Sequence, residues 1–352
     1  RQQEFDPPTG YQFFSINNSM IYIIQPAGTF RNIHTNHFAS VLESLSYQEK
    51  IKFIPHTELL QKDVSEYPDY SKFIIRLGAY RIQEVLNILK TLESKGHTVF
   101  PNYKSIKRCL NKDTFYQLCS ENNIPIPKTE TFTRKSNYKK YNFPKFGKKC
   151  IIKPSKGTQG HGIKLVKNSL VADELENLFA TNEFYEDCDA IVQSYITKFE
   201  DKSQHIRVFC FLGEPTASIT ITNGDSFITL DERMTAGEQK ILYDKKGNVI
   251  ETYLEDKNLN MLVSNVNAGG VAAPYFPDEK LKQICRNVCK LTGIEFTAID
   301  ILEDKQGNYY VLESNVAPHL YKCFVLHHGR VNHPEMIFNY LLDKQSKGSI
   351  IL

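Results

Sequence analysis

No apolar run in the chain approaches the 18 or so residues that a membrane-spanning helix needs, so a helical membrane protein is excluded. No run of Lys and Arg stands out, and the net charge is only +3; nucleic-acid binding cannot be argued from charge. The eight cysteines, from Cys109 to Cys323, form no CxxC pair, which removes the usual zinc-finger spacing. Several of them sit in apolar runs, as buried free thiols do, and fit a reducing, cytoplasmic setting. Cys285 and Cys289 would share a helix face, but no His or Cys nearby completes a metal site, and a packed core face is the simpler account. An initiator Met and a signal-peptide apolar region are both missing at Arg1–Asp6, which fits a trimmed or fragmentary chain. Repeats and low-complexity tracts are absent too.

What is present is ordinary globular material. With 352 residues, 41% hydrophobic and 24% charged, the chain can bury a sizeable core in two or three domains. Over the first hundred residues short apolar strands (Met20–Ile24, Ile51–Ile54, Phe73–Ile75, Thr98–Phe100) alternate with helical segments at His37–Ser46 and Ile82–Ser94. That alternation predicts an open, mostly parallel α/β sheet. Helices at Ser105–Cys109 and Asp113–Glu121 follow, ended by the prolines of Ile124-Pro125-Ile126-Pro127. Strands are then expected at Thr129–Phe132, Lys149–Lys153, Ile163–Val166 and Ala190–Ile196, with a helix over Ala172–Phe179. A hairpin turning at Gly213-Glu214-Pro215, a polar stretch over Asp244–Asn260, a helix at Glu279–Leu291, a second hairpin (Phe296–Leu302, Tyr309–Glu313) and a helix at His333–Leu342 complete the chain. The expected class is α/β, turning to α+β in the C-terminal part. The expected domains are 1–103, 104–196 and 197–352.

Two segments carry chemistry. The strand Cys150–Lys153 runs into Pro154-Ser155-Lys156-Gly157-Thr158-Gln159-Gly160-His161-Gly162, and the next strand begins at once. Glycines let backbone N–H groups approach an anion, and the flanking lysines add charge. Neither a Walker A loop nor a dinucleotide G-x-G-x-x-G opens a helix here, so the loop joins two strands, either as a flap over phosphates or as a plain turn. Downstream, Glu313 and Asn315 share one strand face, and Asp300 falls roughly opposite on the neighbouring strand. An acid in an apolar strand needs a partner or a metal, and two carboxylates with an amide oxygen suit Mg²⁺. A solvated edge hairpin is the competing account.

In this order, the segments from about Ser105 to Leu320 resemble the ATP-grasp superfamily, nearest to RimK-like and glutathione-synthetase-like carboxylate–amine ligases. The glycine loop is also similar to that of tubulin-tyrosine-ligase-like enzymes. The resemblance implies two α+β subdomains enclosing ATP after an N-terminal α/β domain. It implies that Lys112 and Lys153 bind nucleotide phosphates, with Gly157, Gln159, Gly160 and Gly162 in the flap. Gln193, Ser194, Tyr195 and Ile196 would form the adenine hinge, Gln193 standing where many members carry Glu. Arg207 would steady the transferring phosphoryl group and the oxyanion; His205 replaces an acid frequent two residues before it. Asn265, Gly269 and Gly270 would approach the γ-phosphate, and Asp300, Glu313 and Asn315 would hold Mg²⁺, two ions in all, with Mn²⁺ as a substitute. Lys153, Arg207 and Asn315 are the implied catalytic groups.

The resemblance further implies ATP-dependent joining of a small-molecule or peptide carboxylate to an amine acceptor, with no nucleic acid or membrane partner and with homo-oligomers allowed. A kinase acting on a hydroxyl, as inositol-polyphosphate kinases of related fold do, and a non-catalytic nucleotide-binding module stay open at this point. Arg76, at the carboxyl end of a strand, is a candidate for the acceptor carboxylate. Arg233 and Asn267 are further substrate candidates. Arg31, His34, His37, His161 and the cluster His319, Tyr321, His327, His328, Arg330 are weighed against plain surface loops, which fit His327 and His328 best.

Overall fold

A computed structural model describes residues 20–27, 41, 50–156, 162–199, 203–222, 238–243, 249–255 and 271–343, the backbone alone for 238–243 and 249–255. Strands β1 (Ile21–Gln25), β2 (Ile51–Pro55), helix α1 (His56–Gln61), β3 (Lys72–Ile75), α2 (Ala79–Ser94) and β4 (Thr98–Phe100) open the chain. The four strands are parallel, in the order β2-β1-β3-β4. Ile21–Ile24 and all of β3 are buried at every position, as a parallel sheet covered on both faces requires. On α2, Ile82, Val85, Leu89 and Leu92 form one buried stripe, and Gly96 takes the positive φ that turns the chain toward β4. The expected helix His37–Ser46 lies outside the described residues except for Val41.

Asn102 and Asn111 cap the next two helices, α3 (Tyr103–Leu110) and α4 (Lys112–Glu121), their side chains accepting from backbone N–H groups of the first turn. Then β5 (Thr129–Phe132), β6 (Lys149–Pro154), β7 (Lys164–Lys167), α5 (Val171–Thr181) and β8 (Ala190–Ser194) form an antiparallel sheet in the order β5-β8-β6-β7. β8 ends two residues before the sequence pattern suggests. Its neighbours β5 and β6 begin at Thr129 and Lys149, so the paired register ends at Ser194, with one long bond from Tyr195 N to Lys149 O (3.4 Å) beyond it.

Strands β9 (Gln204–Phe211) and β10 (Glu214–Thr222) turn at Leu212-Gly213, both at positive φ (49° and 89°), the geometry of a two-residue hairpin. The sequence pattern put the turn at Gly213–Pro215; Pro215 instead sits inside β10, where the register shifts. The pattern did not show β11 (Glu238–Tyr243), just before the polar stretch, or β12 (Val249–Glu255) within it; among the described residues they pair only with each other. β13 (Val271–Pro274), α6 (Glu279–Thr292), β14 (Phe296–Glu303), β15 (Tyr309–Asn315), α7 (Tyr321–Leu326) and α8 (His333–Asp343) complete the fold. The main C-terminal sheet runs β13-β10-β9-β14-β15, antiparallel throughout. Helices α1 and α7, six residues each, are too short to print a helical period on the sequence. Among the described residues no helix is long and apolar enough to cross a membrane.

The first sheet and the C-terminal sheet share their cores. One core joins Phe73 and Leu89 to Val208, Val288 and Val311, taking in Phe115 and Tyr116 of α4. The other joins Ile23 and Ile74 to Phe209, Ala298 and Phe338. The β5–β8 sheet has a core of its own, built on Phe132, Phe146, Leu175, Leu178 and Tyr185. A small layer thus faces a two-sheet base, and α4 lies between them.

Candidate active site

The base contributes a charge cluster across three adjacent strands. In register, Arg207 of β9 faces Asp300 of β14, which faces Glu313 of β15. Arg207 grips Asp300 with two parallel hydrogen bonds, Nε to Oδ1 at 2.7 Å and Nη2 to Oδ2 at 2.8 Å. The Asn315 amide nitrogen donates to Asp300 Oδ2 (3.1 Å) and Glu313 Oε1 (3.2 Å). Burial opposes ionisation of Asp300, but the Arg207 guanidinium outweighs it and holds the carboxyl below its usual value. Burial likewise works against the Arg207 charge, and Asp300 more than offsets it. His205, on the same face of β9, is driven down to about 4 by burial; its buried Nε2 has no hydrogen-bond partner among the described residues and lies 3.7 Å from Asp300 Oδ1.

A β-bulge shapes this hairpin. The pairing passes from Asp300↔Glu313 to Ile301↔Val311, leaving Leu312 as the extra residue. The Leu312 carbonyl accepts a hydrogen bond from the Tyr116 hydroxyl of α4 (2.7 Å). Tyr116 in turn accepts from the Lys153 ammonium of β6 (2.6 Å), which also donates to Gln193 Oε1 of β8 (2.9 Å). The Lys153 Nζ also lies 4.9 Å from the centroid of the Tyr116 ring. Gln193 Nε2 donates to Thr129 Oγ1 (2.8 Å), so its amide orientation is fixed. Lys153 is 7% exposed; burial, reinforced by the Lys112 charge, pulls its pKa to about 7 against Glu313 and Asp113. Burial above all raises the Tyr116 phenol, so it stays protonated at neutral pH.

The stem of the glycine loop is held on both sides. Ser155 N donates to Asp189 O (2.8 Å), and Asp113, beside Lys112 at the start of α4, accepts from Thr131 Oγ1 (2.9 Å). Gly162, at φ +69°, has its carbonyl bonded to the Tyr185 hydroxyl (2.6 Å). A Cβ there would meet Phe184 Cβ at 3.1 Å and Pro154 Cδ at 3.2 Å, tight contacts at a φ that already strains any other residue. At the hinge, Gln193 and Ser194 are buried, Ser194 N donates to Lys128 O (2.9 Å) and Tyr195 N to Lys149 O (3.4 Å). Burial raises the Tyr195 phenol. Among the described residues the Ile196 N–H has no protein acceptor.

Arg76, at the end of β3, donates from Nη2 to Pro318 O (2.6 Å) in the segment after β15, and burial lowers its pKa to about 10. It therefore joins the first sheet to the hairpin side of the cleft. His327 departs from the surface-loop expectation: its Nε2 lies 2.9 Å from Ser218 O, while His328 is exposed. Cys285 and Cys289 are buried free thiols on the core face of α6. Gly157, Gln159, Gly160, His161, Arg233, Asn265, Asn267, Gly269 and Gly270 lie outside the described residues, as do Arg31, His34 and His37.

The structure thus brings together Lys153, Gln193, Arg207, Asp300, Glu313 and Asn315, with Lys112 close enough to act on Lys153. The residue missed from the sequence is Tyr116. On α4 it reads as one more apolar position, and nothing local marks its hydroxyl as a bridge between β6 and β15.

The described donors suit Mg²⁺. Asp300 and Glu313 give carboxylate oxygens, and the Asn315 amide, rotated half a turn, gives an oxygen in place of its nitrogen.

Residues 246–327 match a family model described as a RimK-like ATP-grasp domain. The α-aminoadipate–LysW ligase LysX of Saccharolobus solfataricus is 26% identical over 308 residues, covering 87% of this chain and 94% of that protein. β-Citrylglutamate synthase B of Danio rerio is 21% identical over 257 residues, covering 72% of this chain; the chain spans about half (53%) of that relative's length. Among solved structures, D-alanine–D-alanine ligase from Bacillus anthracis superposes with a TM-score of 0.62 at 17% identity, over 94% of this chain and 100% of that one. The chain has the ATP-grasp fold, and over residues 246–327 it is similar to the RimK-like ATP-grasp domain.

Proposed function

We propose that this protein joins a carboxylate to an amine through an acyl phosphate, releasing ADP and phosphate. The observation that supports this reading best is the meeting across α4 of the β6 lysine with the Arg207–Asp300–Glu313–Asn315 cluster. A carboxylate is a poor electrophile because its oxygen does not leave. Transfer of the γ-phosphoryl group to one carboxylate oxygen creates a leaving group; amine attack on the acyl carbon then expels phosphate, and the nitrogen loses a proton. Such transfer depends on positioning and on charge neutralisation.

In this reading Lys112 and Lys153 hold phosphate oxygens, and the loop of Gly157, Gln159, Gly160 and Gly162 closes over them. Two protein acceptors occupy two of the three donor directions of the Lys153 ammonium, which aims the third. The Ile196 N–H and the backbone beside Ser194 and Tyr195 take adenine. Asp300, Glu313 and Asn315 hold Mg²⁺, two ions or Mn²⁺ in its place, which neutralises phosphate charge when bound. Arg207, oriented by Asp300, faces the phosphoryl group and the oxyanion, and Asn265, Gly269 and Gly270 complete that end.

Arg76, with Arg233 and Asn267, contacts substrate, and the ligase acts on an amino acid, a peptide or a small carboxylic acid. The names of the relatives, an α-aminoadipate ligase and a β-citrylglutamate synthase, support acidic substrates of that size. The domain limits 1–103, 104–196 and 197–352, a cytoplasmic setting and homo-oligomeric assembly belong to the same proposal. Incubation with Mg·ATP, pooled carboxylates and hydroxylamine tests it. Hydroxamate with ADP and free phosphate is expected. A stable phosphorylated alcohol without phosphate release would overturn the ligase reading.

A further inference from the structure

Among the described residues Tyr116 is the one side chain bonded both to the lysine of the small layer and to the hairpin of the base. Its phenol oxygen accepts from Lys153 at 2.6 Å while its hydroxyl hydrogen goes to the Leu312 carbonyl at 2.7 Å. The Leu312 carbonyl belongs to the bulge residue, and the next residue is Glu313. We propose that Tyr116 is a positioning residue that sets the separation between the phosphate-holding lysine and the metal-holding strand, so that nucleotide and divalent cation bind as one unit. The inference rests on the ATP-site reading above and adds a residue and a coupling to it.

Three features favour this over simple packing. The phenol is used in both directions, so its proton position is defined: the Lys153 ammonium has no acceptor atom, and Leu312 O has no donor. The bulge exists where the bond is made; without it Leu312 would have an ordinary place opposite β14, and Glu313 would not face Asp300. Gln193, the other anchor of Lys153, continues to Thr129 and never reaches β15. The two anchors of the same ammonium therefore have separable duties. Gln193 orients the lysine, and Tyr116 orients the lysine and the metal strand together.

The test compares ADP binding by calorimetry, with EDTA and with Mg²⁺, in the wild type, Tyr116→Phe, Gln193→Met and Lys153→Met. Removing one phenol oxygen keeps the ring, and a melting curve checks the fold. The wild type should bind ADP more tightly with Mg²⁺. Q193M should weaken ADP and leave that enhancement intact. Y116F should weaken ADP and also cut the enhancement, by about tenfold where it is larger than that. An unchanged enhancement in Y116F, or an equal loss in Q193M, would overturn the proposal. Unchanged ADP affinity in K153M would instead remove the ATP-site reading itself. A second measurement needs no variant: metal-free ADP should slow backbone hydrogen exchange at residues 311–316 of the wild-type chain, and no slowing there would also overturn it.

Discussion

Lys153 and Arg207 are both buried cations of one cleft, and they are held in opposite ways. Arg207 meets a carboxylate face to face, and its charge is reinforced although burial works against it. Lys153 meets a phenol and an amide, both neutral, and its charge is weakened to a pKa of about 7. The base of the molecule thus carries a fixed, internally compensated pair. The small layer carries a cation whose hydrogen-bond partners, among the described residues, are both neutral. In the proposed function a phosphate group supplies the counter-charge of Lys153, whereas Arg207 already takes its own from Asp300.

Breaking the fixed pair should have the largest effect. Asp300→Asn leaves the Arg207 guanidinium buried without its anion and should cost about 3–5 kcal/mol of unfolding free energy, read by urea denaturation. An unchanged midpoint would mean that the pair contributes nothing. Lys153→Met should weaken nucleotide binding about 10- to 100-fold, or ~1.5–3 kcal/mol, yet change stability far less than Asp300→Asn. The sign of its pH dependence follows from the depressed pKa. Below about 7 the folded chain buries a charged lysine. Between about 7 and the ordinary value of 10.5 the folded chain holds it neutral while the unfolded chain still binds the proton, so this residue's penalty shrinks as pH rises. Stability curves of wild type and K153M should therefore converge or cross above pH 7.

The same linkage acts on binding. Lys112 and Asp113 on α4 and Glu313 on β15 are the charges acting on Lys153. Below about pH 7 nucleotide affinity should be flat with respect to this group; above it, binding takes up a proton and affinity falls by at most about tenfold per pH unit. Calorimetry in two buffers of different ionisation enthalpy measures that uptake. Gln193→Glu would turn Lys153 into a pair like Arg207's and should move the midpoint upward by about one unit, ~1.4 kcal/mol. A midpoint that stays put would remove the neutral-anchor account. The smallest effect is expected from Gly162→Ala, about 1 kcal/mol in stability with weaker ADP binding, because the new Cβ is strained at φ +69° against Pro154 and Phe184. A wild-type melting temperature would mean that the stem tolerates movement.

Much of this was legible in the sequence. The strands of the first sheet, the helix α2 and the hairpin that carries Asp300, Glu313 and Asn315 all follow from local patterns, and the structure has them. The errors are local too. A hairpin turn was displaced because Pro215 looks like a turn residue, although its missing N–H is tolerated in the irregular stretch of β10. Strands β11 and β12 were hidden by polar composition, and α1 and α7 by their length.

Sequence by itself determined most of the described elements and the hairpin that carries Asp300, Glu313 and Asn315. These depend on periodicity and residue type, which are properties of short stretches. Tertiary structure decided which cation is compensated. Lys153 is a lysine on an apolar strand and Arg207 an arginine on another, and only the packing of α4, β8 and β14 gives one a phenol and an amide and the other a carboxylate. A pKa is set by burial and by charges within a few ångströms, and those neighbours come from segments about 40 and 90 residues away.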